Sequence, residues 1–291
     1  MNTINKILAN WWARIAVFLL TFPLFLFIAE LALPADLFCG VHLSLFFATL
    51  LPNIIVEYFR VHKKFYLFGL MINSSTLREI LMGTAIAVAN IFIIFLAAYS
   101  ATSSEVTMHF YFDSSLMMLI FDIFLLVCFE EFIFRGIIFQ AFFERFGKPI
   151  AVIVFSIFFA SVHIDPMGFN WIFFINVFLA GALISLMYIQ TKSLWLPIMF
   201  HFFWNILQQL FLTSPISGHT YNDSFIDLGI TNLNATIFGG ALGIEGGLLT
   251  TALLLIDIYI VLKFAKIAPQ MNALLFKRYY AESELLYNSS I

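Results

Sequence analysis

Residues 114–139 read SSLMMLIFDIFLLVCFEEFIFRGIIF, and the fold turns on how this run is read. About 20 apolar residues in a helix cross about 30 Å of hydrocarbon, so the run is long enough to span a bilayer. Yet it carries Glu130, Glu131 and Arg135. Insertion scales put an acid or base near mid-span at roughly 2.5–3.5 kcal/mol, so such groups need partners or a water-filled cavity. Glu131 and Arg135 stand at i and i+4 on one helical face and are expected to pair. Glu130 points about 100° away and is left free to face the bundle interior.

The rest of the chain extends the pattern. Of 291 residues, 62% are hydrophobic and 11% charged, and the mean hydropathy is +0.99. Such a chain cannot cover itself with a water-facing surface, so its surface must face lipid. Long apolar blocks exclude a β-barrel of short alternating strands, and no basic patch argues for a nucleic-acid partner. Cys39 and Cys128 support neither a disulfide framework nor a Cys-based zinc site. Hydrophobic runs predict an all-α, polytopic transmembrane helix bundle of about eight spans, at 12–33, 38–57, 79–99, 114–139, 149–165, 171–190, 194–213 and 246–264. With the N-terminus inside, every Lys and Arg except Arg135 falls on the cytoplasmic side, which predicts both termini cytoplasmic. The stretch 214–245 reads as an extramembranous loop, and the tail 265–291 suits an interfacial amphipathic helix.

Two further runs carry polar residues. Phe159-Ala160-Ser161-Val162-His163 ends the fifth span with His163 on the face of Phe159, and His201 and Asn205 share one face of the seventh. Each alone has a structural explanation, an interfacial histidine or interhelical hydrogen bonds. Together, in this order on successive membrane segments, EExxxR, FxxxH and HxxxN resemble the CPBP family, the CAAX-protease and bacteriocin-processing membrane endopeptidases also called the Abi family. Glu130-Glu131 with Arg135, Phe159 with His163, and His201 with Asn205 occupy the motif positions. The resemblance covers 114–213, expected to be the catalytic core, flanked by accessory helices over 1–113 and by the outer loop, last span and tail over 214–291.

The resemblance implies that Glu130 activates a water, that His163 assists it, and that His201 with Asn205 stabilises the oxyanion of the scissile carbonyl, with Glu131, Arg135 and Phe159 in support. Desolvation among Phe side chains makes a carboxylate a stronger base, and fixed donors gain strength in a dry cavity. Zinc is an equal alternative, because Glu130, His163 and His201 supply two imidazoles and a carboxylate; no HExxH decides between the two. The substrate is expected to be a membrane-associated peptide or protein of CaaX-like, lipidated or leader type. Membrane lipids are the other partner, in a bacterial plasma membrane, and the oligomeric state carries no sequence signal. A non-catalytic bacteriocin-immunity or scaffold protein is the alternative, and an ion-coupled transporter a third reading. The site is expected to open toward the cytoplasmic half. One geometric tension stands out. Counting about 1.5 Å per residue from 139, 149 and 194 puts Glu130 and His201 about 10–14 Å deep but His163 about 20 Å.

Overall fold

Caps and breaks set the helix boundaries. Asp113 accepts from Leu116 N–H to start one helix, and Asn170 accepts from Phe173 N–H to start another, both at 3.0 Å. Lys192 and Thr213 close two helices in the left-handed region. The computed structural model describes residues 3–33, 37, 39–60, 67–102, 106–110, 112–164, 169–219, 221 and 224–264. The amphipathic helix expected at 265–291 lies outside the described residues. Among those described, the long helices are α1 (Trp11–Ala32), α2 (Gly40–Arg60), α3 (Thr76–Ala101), α4 (Ser114–Phe134), α5 (Ile137–Phe146), α6 (Lys148–Val162), α7 (Trp171–Thr191), α8 (Trp195–Leu212) and α9 (Leu248–Phe264). Two short strands, β1 (Thr107–Met108) and β2 (Ile226–Asp227), pair antiparallel. They tie the α3–α4 connection to the loop after α8, a small addition to the all-α expectation.

Four helices, α1, α2, α3 and α7, are long and apolar enough to cross a membrane by length and composition. The other expected spans fall short for identifiable reasons. Asp122, Glu130 and Glu131 interrupt the apolar run of α4, α6 has 15 residues, α8 carries His201, Asn205, Gln208 and Gln209, and the described part of α9 has 17 residues. Leu20 and Leu31 on α1 are 74% and 78% exposed, apolar surface of the kind that lipid covers.

The span expected at 114–139 is corrected most. It breaks after Phe134, and Arg135–Gly136 lead into a separate helix, α5. Asn53 of α2 holds the break, its Nδ2 donating to Phe132 O at 3.1 Å and its Oδ1 accepting from Ile137 N–H at 2.6 Å. One buried amide thus satisfies backbone groups that the interrupted ladder leaves without helical partners. Gly136 is needed because a Cβ there would overlap Phe132 O and Asn53 Oδ1.

Packing sets α4 against α2 and α8. Elsewhere α1 lies on α2, α3 on α8, α6 on α7 and α7 on α9. Gly83 lets α3 approach α8, since a Cβ there would stand 2.9 Å from Phe200 N. Several polar residues in the spans have structural partners: Asp257 accepts from Asn90, Glu57 from Phe68 N–H, and Ser156 donates to Val152 O. Gly239, Gly243 and Gly247 precede α9. They close a run of tight turns in which an added Cβ would meet backbone, as Gly239 would meet Gly243 O.

Gly136→Ala must shift either the backbone or Asn53, and such overpacking costs about 1–3 kcal/mol. Thermal unfolding of the detergent-solubilised protein should show a lowered midpoint, and an unchanged one would contradict the tight break.

Candidate active site

Glu131 is wholly buried and its Oε1 accepts from two partners. Arg135 Nη1 donates to it at 3.1 Å, and His201 Nδ1–H donates at 2.9 Å. The expected i,i+4 pair therefore forms, and it recruits α8 as well. Because Arg135 lies just past the last residue of α4, its guanidinium also reaches Gly181 O on α7 at 3.0 Å and stacks 4.7 Å from the Phe159 ring centroid. Charge-assisted bonds and a cation–π contact replace part of the hydration that the guanidinium has lost; its Nε has no hydrogen-bond partner among the described residues. Gly181 lets α6 approach, since a Cβ there would lie 3.3 Å from the Phe159 side chain.

Glu130 faces two imidazoles. Its Oε1 stands 3.7 Å from His163 Nε2, and its Oε2 3.5 Å from His201 Nε2. His163 sits at the C-cap of α6, where its Nδ1–H donates to Phe159 O at 2.6 Å, one of the carbonyls a helix end leaves open. With both Nδ1 positions committed, both Nε2 atoms point at Glu130, a tautomer assignment that follows from the hydrogen-bond network. The separations exceed a direct hydrogen bond. Phe159 walls the group, 4.4 Å from the His163 ring and 6.0 Å from the His201 ring by centroid. Asn205 follows one turn after His201 and lines the same cavity.

This contact answers the depth tension through one correction. The inner connection is Gly147, between α5 and α6, so Glu130 and His163 lie at nearly equal chain distances on either side of it. The turn 191–194 that starts α8 is itself buried within the protein, with Lys192 only 4% exposed. Leu194 N–H donates to Gly69 O at 2.9 Å beneath it.

Glu130, His163, His201 and Asn205 line a cavity of about 790 Å³ together with Phe129, Ile133 and Phe134. Its remaining walls include His42 at the start of α2 and Ser217, His219 and Tyr221 after α8. It therefore runs toward the end of the bundle away from the Lys- and Arg-bearing α5–α6 and α7–α8 connections, opposite to the expected opening. The stretch 214–245 is not simply an outer loop: Ser214 and Ile216 are buried, and Ser217 reaches the cavity. Glu245 pins it, accepting from Ser217 N–H at 2.9 Å, while Asn176 donates to Glu245 O at 2.8 Å. Asn53, Asn176, Ser217 and Glu245 went unremarked in the sequence; a lone amide or acid amid apolar or glycine-rich residues is the signal they carried. Among the described residues no group of three or more His, Cys, Asp or Glu is placed to hold a metal ion. In the expected zinc set, Glu130 Oε1 stands 3.7 Å from His163 Nε2 and Glu130 Oε2 stands 3.5 Å from His201 Nε2.

Removing one member of a buried ion pair costs about 3–5 kcal/mol, because the other charge is left uncompensated. Arg135→Ala should therefore strongly destabilise the solubilised protein in chemical denaturation, and Arg135→Ala with Glu131→Gln should recover part of the loss. A double variant no more stable than the single would refute the pairing.

Residues 112–207, about a third of the chain, match the family model described as type II CAAX prenyl endopeptidase Rce1-like. No curated protein and no solved structure matches the chain. The matched segment contains every motif residue from Glu130 to Asn205, and the family is one of proteases. Residues 112–207 thus carry an Rce1-like domain, consistent with the CPBP family, within a helical membrane protein.

Proposed function

We propose that this chain is an intramembrane endopeptidase that hydrolyses a peptide bond of a membrane-associated substrate with a water activated by Glu130. The observation that carries the reading is the carboxylate of Glu130, faced by two Nε2 atoms at 3.7 and 3.5 Å at the floor of a phenylalanine-lined cavity. Glu130 takes a proton from water as the water oxygen attacks the scissile carbonyl carbon. The oxyanion that forms is met by the Asn205 amide and by Nε2–H of His201, which as an imidazolium keeps its Nδ1–H on Glu131. Glu131 and Arg135 so act by orienting and charge-balancing His201, and Phe159 by holding the Arg135 and His163 planes. Collapse of the intermediate breaks the C–N bond, and the proton held by Glu130 passes to the leaving nitrogen, with His163 beside it to share the transfer. Water restores the resting site once both products leave.

The apolar walls at Phe129, Ile133, Phe134, Val162 and Ile164 suit a lipidated or membrane-anchored peptide rather than a polar one. The charge bias supports a protein with both termini in the cytoplasm, and this reading sets it in a bacterial plasma membrane.

Cleavage of a panel of lipidated and leader-type peptides by the purified protein tests the reading. Glu130→Gln should lower kcat by about 10²–10⁴-fold, as for loss of a general base, and Asn205→Ala by about 10²–10³-fold, as for loss of an oxyanion donor. His163→Ala should fall in the same direction. Chelator should leave the rate unchanged; loss that zinc restores would favour the metal form on Glu130, His163 and His201. Full activity in Glu130→Gln would sink the proposal, and a cellular effect that survives Glu130→Gln with no cleavage would point to an immunity or scaffold protein.

A further inference from the structure

Part of the wall around Glu130 borders two cavities. His163, His201, Asn205 and Ser217 line the large cavity and also a second, smaller one, whose lining does not include Glu130. The second cavity measures about 40 Å³. A buried water needs about 10–15 Å³ of such space and about two to four polar partners, so the volume suits about two or three waters. Trp204 and Leu254 give the cavity apolar walls, while Glu245 and Thr250 bring acceptors. Thr250 donates its hydroxyl proton to Ile244 O at 2.7 Å, which leaves the oxygen able to accept. Glu245 accepts from Gln208 Nε2 at 3.3 Å and from the Ser217 N–H and hydroxyl at 2.9 and 3.3 Å. A carboxylate offers about four lone-pair sites, so acceptor capacity remains. No described Lys or Arg lines the cavity, and neutral donors such as water must complete the solvation of this acid. Gln208, one turn beyond Trp204 on α8, adds a buried Oε1 with no hydrogen-bond partner among the described residues.

Resting on the endopeptidase reading above, we propose that the small cavity is a water store, organised by Glu245, that supplies hydrolytic water to Glu130 while a substrate fills the large cavity. Each peptide bond cut consumes one water, and a peptide packed against the phenylalanine walls keeps bulk solvent out of the large cavity. The side chains common to both cavities then mark the route. Water leaving the store passes His163 and His201, whose Nε2 atoms stand 3.7 and 3.5 Å from the Glu130 carboxylate. Glu245 is a positioning residue for that water and takes no proton in the reaction.

Radiolytic hydroxyl labelling of the full-length protein in detergent reads the water directly. Buried Trp204 reports on the small cavity and Tyr221 on the large one. A farnesylated peptide bound to Glu130→Gln protein should suppress labelling at Tyr221 and leave it at Trp204. Ala180→Val adds two methyl groups to the wall of the small cavity and should lower Trp204 labelling by at least about threefold, because fewer waters fit. The same variant should lower kcat for the peptide by about tenfold while KM changes by less than about twofold, the pattern of a contribution made at the chemical step. Glu245→Gln, which keeps an acceptor, should retain more labelling and more kcat than Glu245→Leu. A Trp204 that is unlabelled in the wild type, or that peptide binding protects together with Tyr221, overturns the store. So does an Ala180→Val protein that loses labelling yet keeps its kcat, or one whose KM alone rises, as expected of a pocket for a substrate side chain. Trp204 labelling that Ala180→Val removes, in a protein that neither binds nor cleaves the peptide, supports the water site and overturns the endopeptidase reading alone.

Discussion

A carboxylate with no access to water must find its hydrogen-bond donors inside the protein, and at Glu131 this requirement organises the bundle. The acid is wholly buried, and one of its oxygens receives both Arg135 and His201. Arg135 continues to a carbonyl of α7 and a ring of α6. Four helices therefore meet around a charge whose exposure to hydrocarbon would cost several kcal/mol. Glu130, one residue earlier, escapes this network because a helix turns about 100° per residue. Adjacent acids so divide into one that holds structure and one that faces the cavity.

The break between α4 and α5 serves the same constraint. A continuous helix would keep Arg135 within regular helical geometry; ending the helix at Phe134 lets its backbone depart from it, at φ −127° and ψ 0°. The interruption is tolerable in a membrane protein only where the exposed backbone groups are met by protein. Asn53 meets them from α2, and Gly136 leaves the space that Asn53 occupies. Site, kink and interhelical packing are thereby parts of one arrangement. On the other flank, Glu245 holds the loop segment at Ser217 over the cavity, while Asn176 fastens the turn before α9.

Much of this was legible in the residues. Apolar blocks placed the helices within a few positions, since hydrocarbon thickness and helical rise leave little choice of length. The i,i+4 spacing placed Glu131 with Arg135, and the spacing of the three motifs gave the family resemblance that the match over 112–207 supports. Asn53 was not legible, because its partners lie about 80 residues away and an isolated amide in an apolar run has many uses. The depth count failed for a related reason: it ended the fourth span at 139, whereas the chain breaks after Phe134 and continues as α5 to Gly147.

Local spacing, composition and charge thus determined a helical membrane chain, which residues share a helical face, and which acids and imidazoles stand out against their surroundings. These properties repeat with the period of a helix and need no knowledge of neighbours. Only the tertiary structure decided that Glu130 meets two Nε2 atoms, that His201 belongs to Glu131 through its other nitrogen, and that the cavity runs toward the end away from the basic connections. Those outcomes depend on how α4, α6 and α8 are rotated and offset against one another, and that is set by contacts such as Asn53 at the break and Gly181 beneath Phe159, distant in sequence and close only after folding.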